Sequence, residues 1–366
     1  MNWSGWPYGL RKFDFILFGA IVLLIGLGLT AIYSINLGLD NSDFTNLKKQ
    51  AVFALIGLVV FFAVSLMDYS AFRIYGRYIY WGTVILLIIV LLWGRTVRGT
   101  TGWISIFGMN LGQPVELAKI ALIIFLARFF SNRFQQFNQA RHIFTSLVAT
   151  LILFGLIVLQ PDLGSGLVLL GLWFVLLLLT GVRWQFVVTL VGACLLLAVI
   201  LWSFVLAPYQ HDRFLSFIYP ERDPLGSGYN VTQSIIAVGS GGLAGRGLGF
   251  GSQSQLKFIP ESQTDFIFAA IAEELGFVGG LVFFSLWLII FYRIIRIAKQ
   301  ARDDFGLFLC LGVLVVLLIH VVINIGFNLG VVPVTGISLP FVSYGGSFLV
   351  TALFLAGLVE SVALRR

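Results

Sequence analysis

The sequence predicts an all-α protein: a polytopic integral membrane bundle of about ten transmembrane helices with one large extracytoplasmic loop. Three observations predict it. The 366 residues are 59% hydrophobic and only 11% charged, with mean hydropathy +1.00, whereas a soluble domain carries about 25% charged residues. Apolar runs approaching the ~20 residues needed to cross a bilayer recur along the chain. The cations also fall unequally on alternate connections.

The first run, Phe15 to Ile35, follows Arg11, Lys12 and Asp14 and ends without a small-residue cleavage site, so it reads as a retained signal-anchor helix. Further spans are expected at about 50–67, 76–94, 113–130, 142–160, 164–181, 184–206, 266–292, 305–328 and 340–362. Glu116, Lys119 and Arg128 interrupt the fourth. It is kept because ten spans separate the charges cleanly. Fourteen Lys and Arg then lie on the cytoplasmic side and eight on the outer side, with Lys119 inside a span. Four of the eight, Arg213, Arg222, Arg246 and Lys257, belong to the one long loop, which is exempt from the positive-inside rule. Short connections therefore divide fourteen to four, which puts both termini in the cytoplasm. The net charge of +7 is a topology signal and points to no nucleic acid.

Cys194 and Cys310 lie deep in apolar runs and read as small core residues. His142, His211 and His320 are scattered, and no ligand spacing for a metal appears. The long loop, Ala207 to Thr264, is the anomaly, because a connection of that length is usually functional. Within it, Tyr229 to Val238 is expected to form a short amphipathic helix. The stretch GSGGLAGRGLGFG (Gly239 to Gly251) formally contains GxGxxA, but no alternation of strands and helices surrounds it and no GK[ST] follows. Its backbone amides suit a lipid-linked pyrophosphate better than a nucleotide.

Four constellations carry candidate chemistry. PESQTDFIFAAIAEELG brings Glu261, Asp265, Glu273 and Glu274 to the mouth of span eight. Thr264 is the expected N-cap, and the helix N-terminus favours an ionised Asp265. Glu273 and Glu274 lie either ~12–14 Å further along one unbroken helix or at the true start of the span. In QPVELAK, Glu116 and Lys119 share a helix face and either pair locally or let Lys119 reach another carboxylate or an anionic substrate. In QPDLGSG, Asp162 occupies a short outer turn, where turn chemistry alone accounts for it. PVTGISLPFVSYGGS reads as a broken or re-entrant segment lining a cavity.

With DPLGSGY (Asp223 to Tyr229) and TQSIIAVGSGG (Thr232 to Gly242), these motifs resemble, in order, the SEDS family of peptidoglycan polymerases, whose members are RodA, FtsW and SpoVE. The resemblance covers spans four to ten, and GLGFGSQSQLKFIPE (Gly247 to Glu261) is most similar to RodA. Val115 departs from the family's usual small polar residue. The resemblance implies one transmembrane domain over 1–366 in the bacterial cytoplasmic membrane, joining lipid II units into glycan strands at its outer face and releasing undecaprenyl pyrophosphate. It implies Asp265 as the catalytic acid. Lys119, Glu116, Asp162, Arg213, Arg246 and Lys257 are the candidate substrate-binding residues. No cofactor is certain; a divalent cation (Mg or Mn) at the pyrophosphate stays open, although the sequence supplies no closed site. The implied partners are a class B penicillin-binding protein with transpeptidase activity and other proteins of the elongation machinery. The rival readings are a lipid II flippase, or the division or sporulation branch of the same family.

Overall fold

The structure, a computed structural model, describes residues 12–37, 44–97, 100–106, 109–132, 140–205, 211, 215, 217–218, 227–256 and 258–366. Its helices form where the apolar runs lie. Seven described helices are long and apolar enough to cross a membrane. They are α1 (Phe15–Leu37), α2 (Thr45–Leu66), α3 (Tyr69–Trp93), α5 (Ala140–Val158), α10 (Ile267–Lys299), α11 (Asp304–Asn328) and α12 (Gly346–Leu364). Helices α4 (Val115–Ser131), α6 (Leu163–Leu179) and α7 (Trp184–Ile200) have 17 residues each and coincide with expected spans four, six and seven. A π-helical turn, Leu201–Val205, extends α7.

Helices α2 and α3 start well ahead of their expected positions, at Thr45 and Tyr69, and capping explains the second. The Asp68 carboxylate accepts a 2.9 Å hydrogen bond from the Ser70 amide, so α3 begins ahead of Arg73 and Arg77. The Ser70 amide and hydroxyl also hold the Asp68 carboxyl below its usual range.

The bundle is all-α as expected, and one connection outside it adds a small sheet. The connection between α3 and α4 forms three short antiparallel strands, β1 (Arg95–Val97), β2 (Thr100–Ile106) and β3 (Met109–Gly112). Arg95 pairs with Trp103, and Ile106 with Met109. The segment is rich in Thr, Ile and Val, which suit a pleated surface better than an exposed coil.

Helix α12 packs along α2, and α11 lies against α4, α6 and α10. Close approach of α12 to α2 requires Gly357, where a Cβ would fall 2.8 Å from the Phe61 carbonyl oxygen. At the bundle end away from the long loop, Arg293 of α10 forms a buried ion pair with Asp14, its Nε donating to both carboxylate oxygens at 2.9 Å. The Asp14 amide donates to Glu360 of α12 at 2.8 Å, so three helix ends are tied at one point.

The loop end is built differently. Helix α8 (Ser227–Ser240), longer than the expected 229–238, runs into the glycine-rich stretch and then α9 (Ser252–Gln255). The glycines lie backbone to backbone against α10. Arg246 and Gly247 amides donate to the Glu273 and Glu274 carbonyls at 3.0 Å, while Phe277 and Val278 amides donate back to Gly242 and Leu243 at 2.9 and 3.1 Å. These bonds sit at a break in α10, where Gly276 takes φ 62 and ψ −160. Both expectations for Glu273 and Glu274 are therefore partly met: a short helix leads in from Ile267, and the long membrane segment begins at Phe277.

A Cβ on Gly245, where φ is 80, would fall 2.1 Å from the Glu274 carbonyl oxygen. Gly245→Ala should therefore destabilise the protein by at least ~1–3 kcal/mol from the left-handed backbone alone. Gly239→Ala, with nothing within 4 Å of the new methyl, should not. Thermal unfolding of the two purified variants reads the difference.

Candidate active site

Helix α11 organises the loop end. His320, Asn324 and Asn328 recur every four residues, so they share one face of an otherwise apolar helix. They are 2%, 0% and 0% exposed. Amides buried this deeply must find partners, because lipid supplies none. Asn328 Nδ2 donates to the Asp265 carbonyl at 3.0 Å and the Asn324 carbonyl at 2.8 Å, while its Oδ1 accepts from the Ala269 amide at 3.1 Å. Asn324 Nδ2 donates to the Asp265 carbonyl at 3.0 Å and to Ile337 at 2.8 Å.

Asp265 thus lies in the turn just before α10, half-buried, with its main chain gripped from α11. Thr264 is not the N-cap. Its hydroxyl donates to Glu261 Oε2 at 2.8 Å, and the position capping α10 is Phe266, without a side-chain bond. The tight turn at Glu261, whose carbonyl accepts from both the Thr264 and Phe266 amides, delays the helix. The segment before α12 closes over this turn. Ser343 Oγ donates to the Thr264 carbonyl at 2.6 Å, the Tyr344 amide to Gln263 at 2.8 Å, and a Cβ on Gly336 would lie 3.8 Å from Asp265 Oδ2. Gln50 of α2 braces the segment through the Ser343 carbonyl and Gly345 amide.

Lys119 is 2% exposed. Its ammonium donates to Glu116 Oε1 at 2.9 Å and to His320 Nε2 at 3.1 Å, and lies 5.4 Å from the centre of the Phe348 ring. An ammonium only donates, so Nε2 accepts, and the proton on Nδ1 bonds the Ser338 carbonyl at 3.0 Å. The local pair expected for Glu116 and Lys119 is present. Lys119 reaches beyond it to a histidine rather than to Asp265.

Asp162 caps α6 through the Ser165 amide at 3.0 Å and accepts from Gln113 Nε2 at 3.1 Å. Gly164 abuts the Thr335 carbonyl, where a Cβ would fall at 2.6 Å. Arg246 is exposed and donates to Ser252 Oγ at 2.9 Å. Arg213 and Lys257 lie outside the described residues. Glu273 is occupied structurally, accepting from the Gln253 and Ser254 amides at 2.8 and 3.1 Å, and Glu274 accepts from Ser34 Oγ at 2.6 Å. Among the described residues no three His, Cys, Asp or Glu side chains cluster as a metal set.

Four separate motifs, at 113–119, 160–166, 261–276 and 333–347, therefore meet at one end of the bundle. Residues 15–366 match the model of the FtsW/RodA/SpoVE family, described as "Cell cycle protein". The chain belongs to that family. It is 35% identical, over 98% of this chain and 94% of the relative, to a probable peptidoglycan glycosyltransferase FtsW of Trichlorobacter lovleyi. It is 37% identical to the peptidoglycan glycosyltransferase MrdB of Escherichia coli, over 85% and 84% of the two chains. A solved chain from a peptidoglycan synthase complex that coordinates polymerization and crosslinking superposes with TM-score 0.80 at 31% identity, covering 96% of this chain and 97% of that one.

Sequence reading missed His320, Asn324 and Asn328. Their four-residue spacing within an apolar span was the available signal.

Two outcomes follow from this geometry. Glu116 Oε2 already has no hydrogen-bond partner among the described residues, so Lys119→Ala leaves the whole buried carboxylate unpaired. That should cost ~3–5 kcal/mol in thermal unfolding, with Lys119→Arg much milder. Asp162→Ala should lose ~1 kcal/mol with the α6 cap, and Asp162→Asn little, since the amide oxygen still accepts from Ser165.

Proposed function

We propose that this chain polymerises lipid II at the outer face of the bacterial cytoplasmic membrane, with Asp265 as general base. The carrying observation is the setting of Asp265. It is a half-buried carboxylate at the loop end, on a turn whose main chain is fixed by two buried amides and covered by the 333–347 segment. The acceptor sugar's 4-hydroxyl loses its proton as its oxygen attacks the anomeric carbon bearing the pyrophosphate. Asp265 takes that proton. Attack from the opposite face inverts the α-linked donor to a β-linked product, and the C–O bond to undecaprenyl pyrophosphate breaks with its electrons.

The leaving group needs positive charge more than an acid. Exposed Arg246 has the access for this role, with Arg213 and Lys257 assigned to it from the sequence. Lys119, whose ammonium is engaged by Glu116 and His320, acts from behind the site by keeping α4, α11 and the 333–347 segment in register. Asp162 shapes the neighbouring turn.

The cation distribution supports cytoplasmic termini, and the family match over residues 15–366 supports one transmembrane domain. Within the family, the Gly247–Glu261 segment favours the elongation role of RodA over division or sporulation. The superposition on a chain from a peptidoglycan synthase complex supports a class B penicillin-binding protein as partner.

Asp265→Asn is nearly isosteric and should fold and bind lipid II, yet its polymerisation should fall by ~10²–10⁴-fold. Glu261→Gln should be milder. The readout is glycan formation from purified lipid II, with and without the transpeptidase. Normal strands from Asp265→Asn would sink the base assignment. Loss of lipid II movement in a polymerase-free vesicle assay would favour a flippase.

A further inference from the structure

Helix α10 begins without a side-chain cap of its own, so the amides of its first turn need acceptors from elsewhere. Asn328 Oδ1 supplies one, to Ala269. The same side chain's Nδ2 holds the Asp265 carbonyl, so one amide grips both sides of the turn that carries the carboxylate. The opposite demands of these partners, one donor and two carbonyls, fix which end of the amide points where. Asn324, one helical turn earlier, occupies the second acceptor position of the same carbonyl and links it to Ile337 in the covering segment. Both lone pairs of the Asp265 carbonyl are thereby used, by two side chains that are fully buried.

A requirement for α10 to pack on α11 does not account for this. Apolar side chains pack membrane helices without the cost of burying four amide hydrogens. The amides converge instead on a single carbonyl, and it belongs to the residue proposed to take the proton.

We infer that Asn324 and Asn328 are positioning residues for the reaction: they clamp the Asp265 main chain between α11 and the 333–347 segment and so fix where its carboxylate points. This rests on Asp265 being the base. The two residues touch no reacting atom. Their effect is on the chemical step, because displacing a reacting group by ~1 Å costs ~10²-fold in rate.

The test uses the full chain and purified lipid II. Asn324→Leu and Asn328→Leu are near-isosteric and remove the donors. Each should lower kcat ~10²-fold while the KM for lipid II moves little. In an Asp265→Glu background, where the carboxylate is already displaced by one methylene, the same substitutions should cause little further loss. Full additivity there, an unchanged kcat, or a rise in KM alone overturns the inference. Should the leucine variants not fold, Asn324→Ser and Asn328→Ser, which keep a shorter donor, are read in the same way. Failure of both pairs to fold assigns the amides to stability alone and also overturns it. Failure of the base assignment is separate: it shows as normal polymerisation by Asp265→Asn, whatever the asparagine variants do.

Discussion

A bilayer core offers no water to hydrogen-bond, so irregular backbone survives there only where protein groups replace the solvent. Three irregular segments meet at the loop end of this bundle: the glycine-rich stretch, the turn at 261–266 and the 333–347 segment. Each is satisfied by another of them or by a neighbouring helix, α10 for the glycine stretch and α2 and α11 for the other two. Ser343 holds the Thr264 carbonyl, Asn324 joins Asp265 to Ile337, and Glu273 takes the amides that open α9. The regular helices provide depth and direction. The candidate site exists because the non-helical pieces between them are paired.

Read this way, the acids at 261–274 do different work. Glu273 and Glu274 are anchors, their oxygens taken by the Ser252–Ser254 turn and by Ser34 of α1. Glu261 shapes the turn through Thr264. Asp265 is held through its main chain by Asn324 and Asn328, and its side chain stands beside Gly336 in a half-buried turn. Amide and hydroxyl donors to Glu261, Glu273 and Glu274 offset part of the like-charge repulsion in this cluster.

The membrane class, the approximate helix positions and the two loops of the candidate site were legible in the sequence, because hydropathy and Pro/Gly punctuation are local signals. Helix starts were less legible: Asp68 caps α3 ahead of its cations, and the Glu261 turn postpones α10 to Ile267. The strands at 95–112 went unread because a short, turn-rich segment between spans carries little periodicity. His320, Asn324 and Asn328 were harder still. Their meaning lies mostly in partners 13 to 201 positions away in the chain, such as Lys119, and no local pattern states which distant carbonyl an asparagine will meet.

Gly276 divides α10 into a short piece that belongs to the loop assembly and a long piece that belongs to the bilayer. Mechanically it is a joint. The far arm ends near Arg293, which is locked to Asp14, and the near arm carries the Asp265 turn. A sideways load on the long arm, from a thicker bilayer or a helix leaning on its lipid-facing side, reaches the joint before the turn. There it first strains the Phe277 and Val278 amides against the glycine stretch. The break at Gly276 and the bonds around it therefore stand between the membrane helix and the turn that carries the carboxylate.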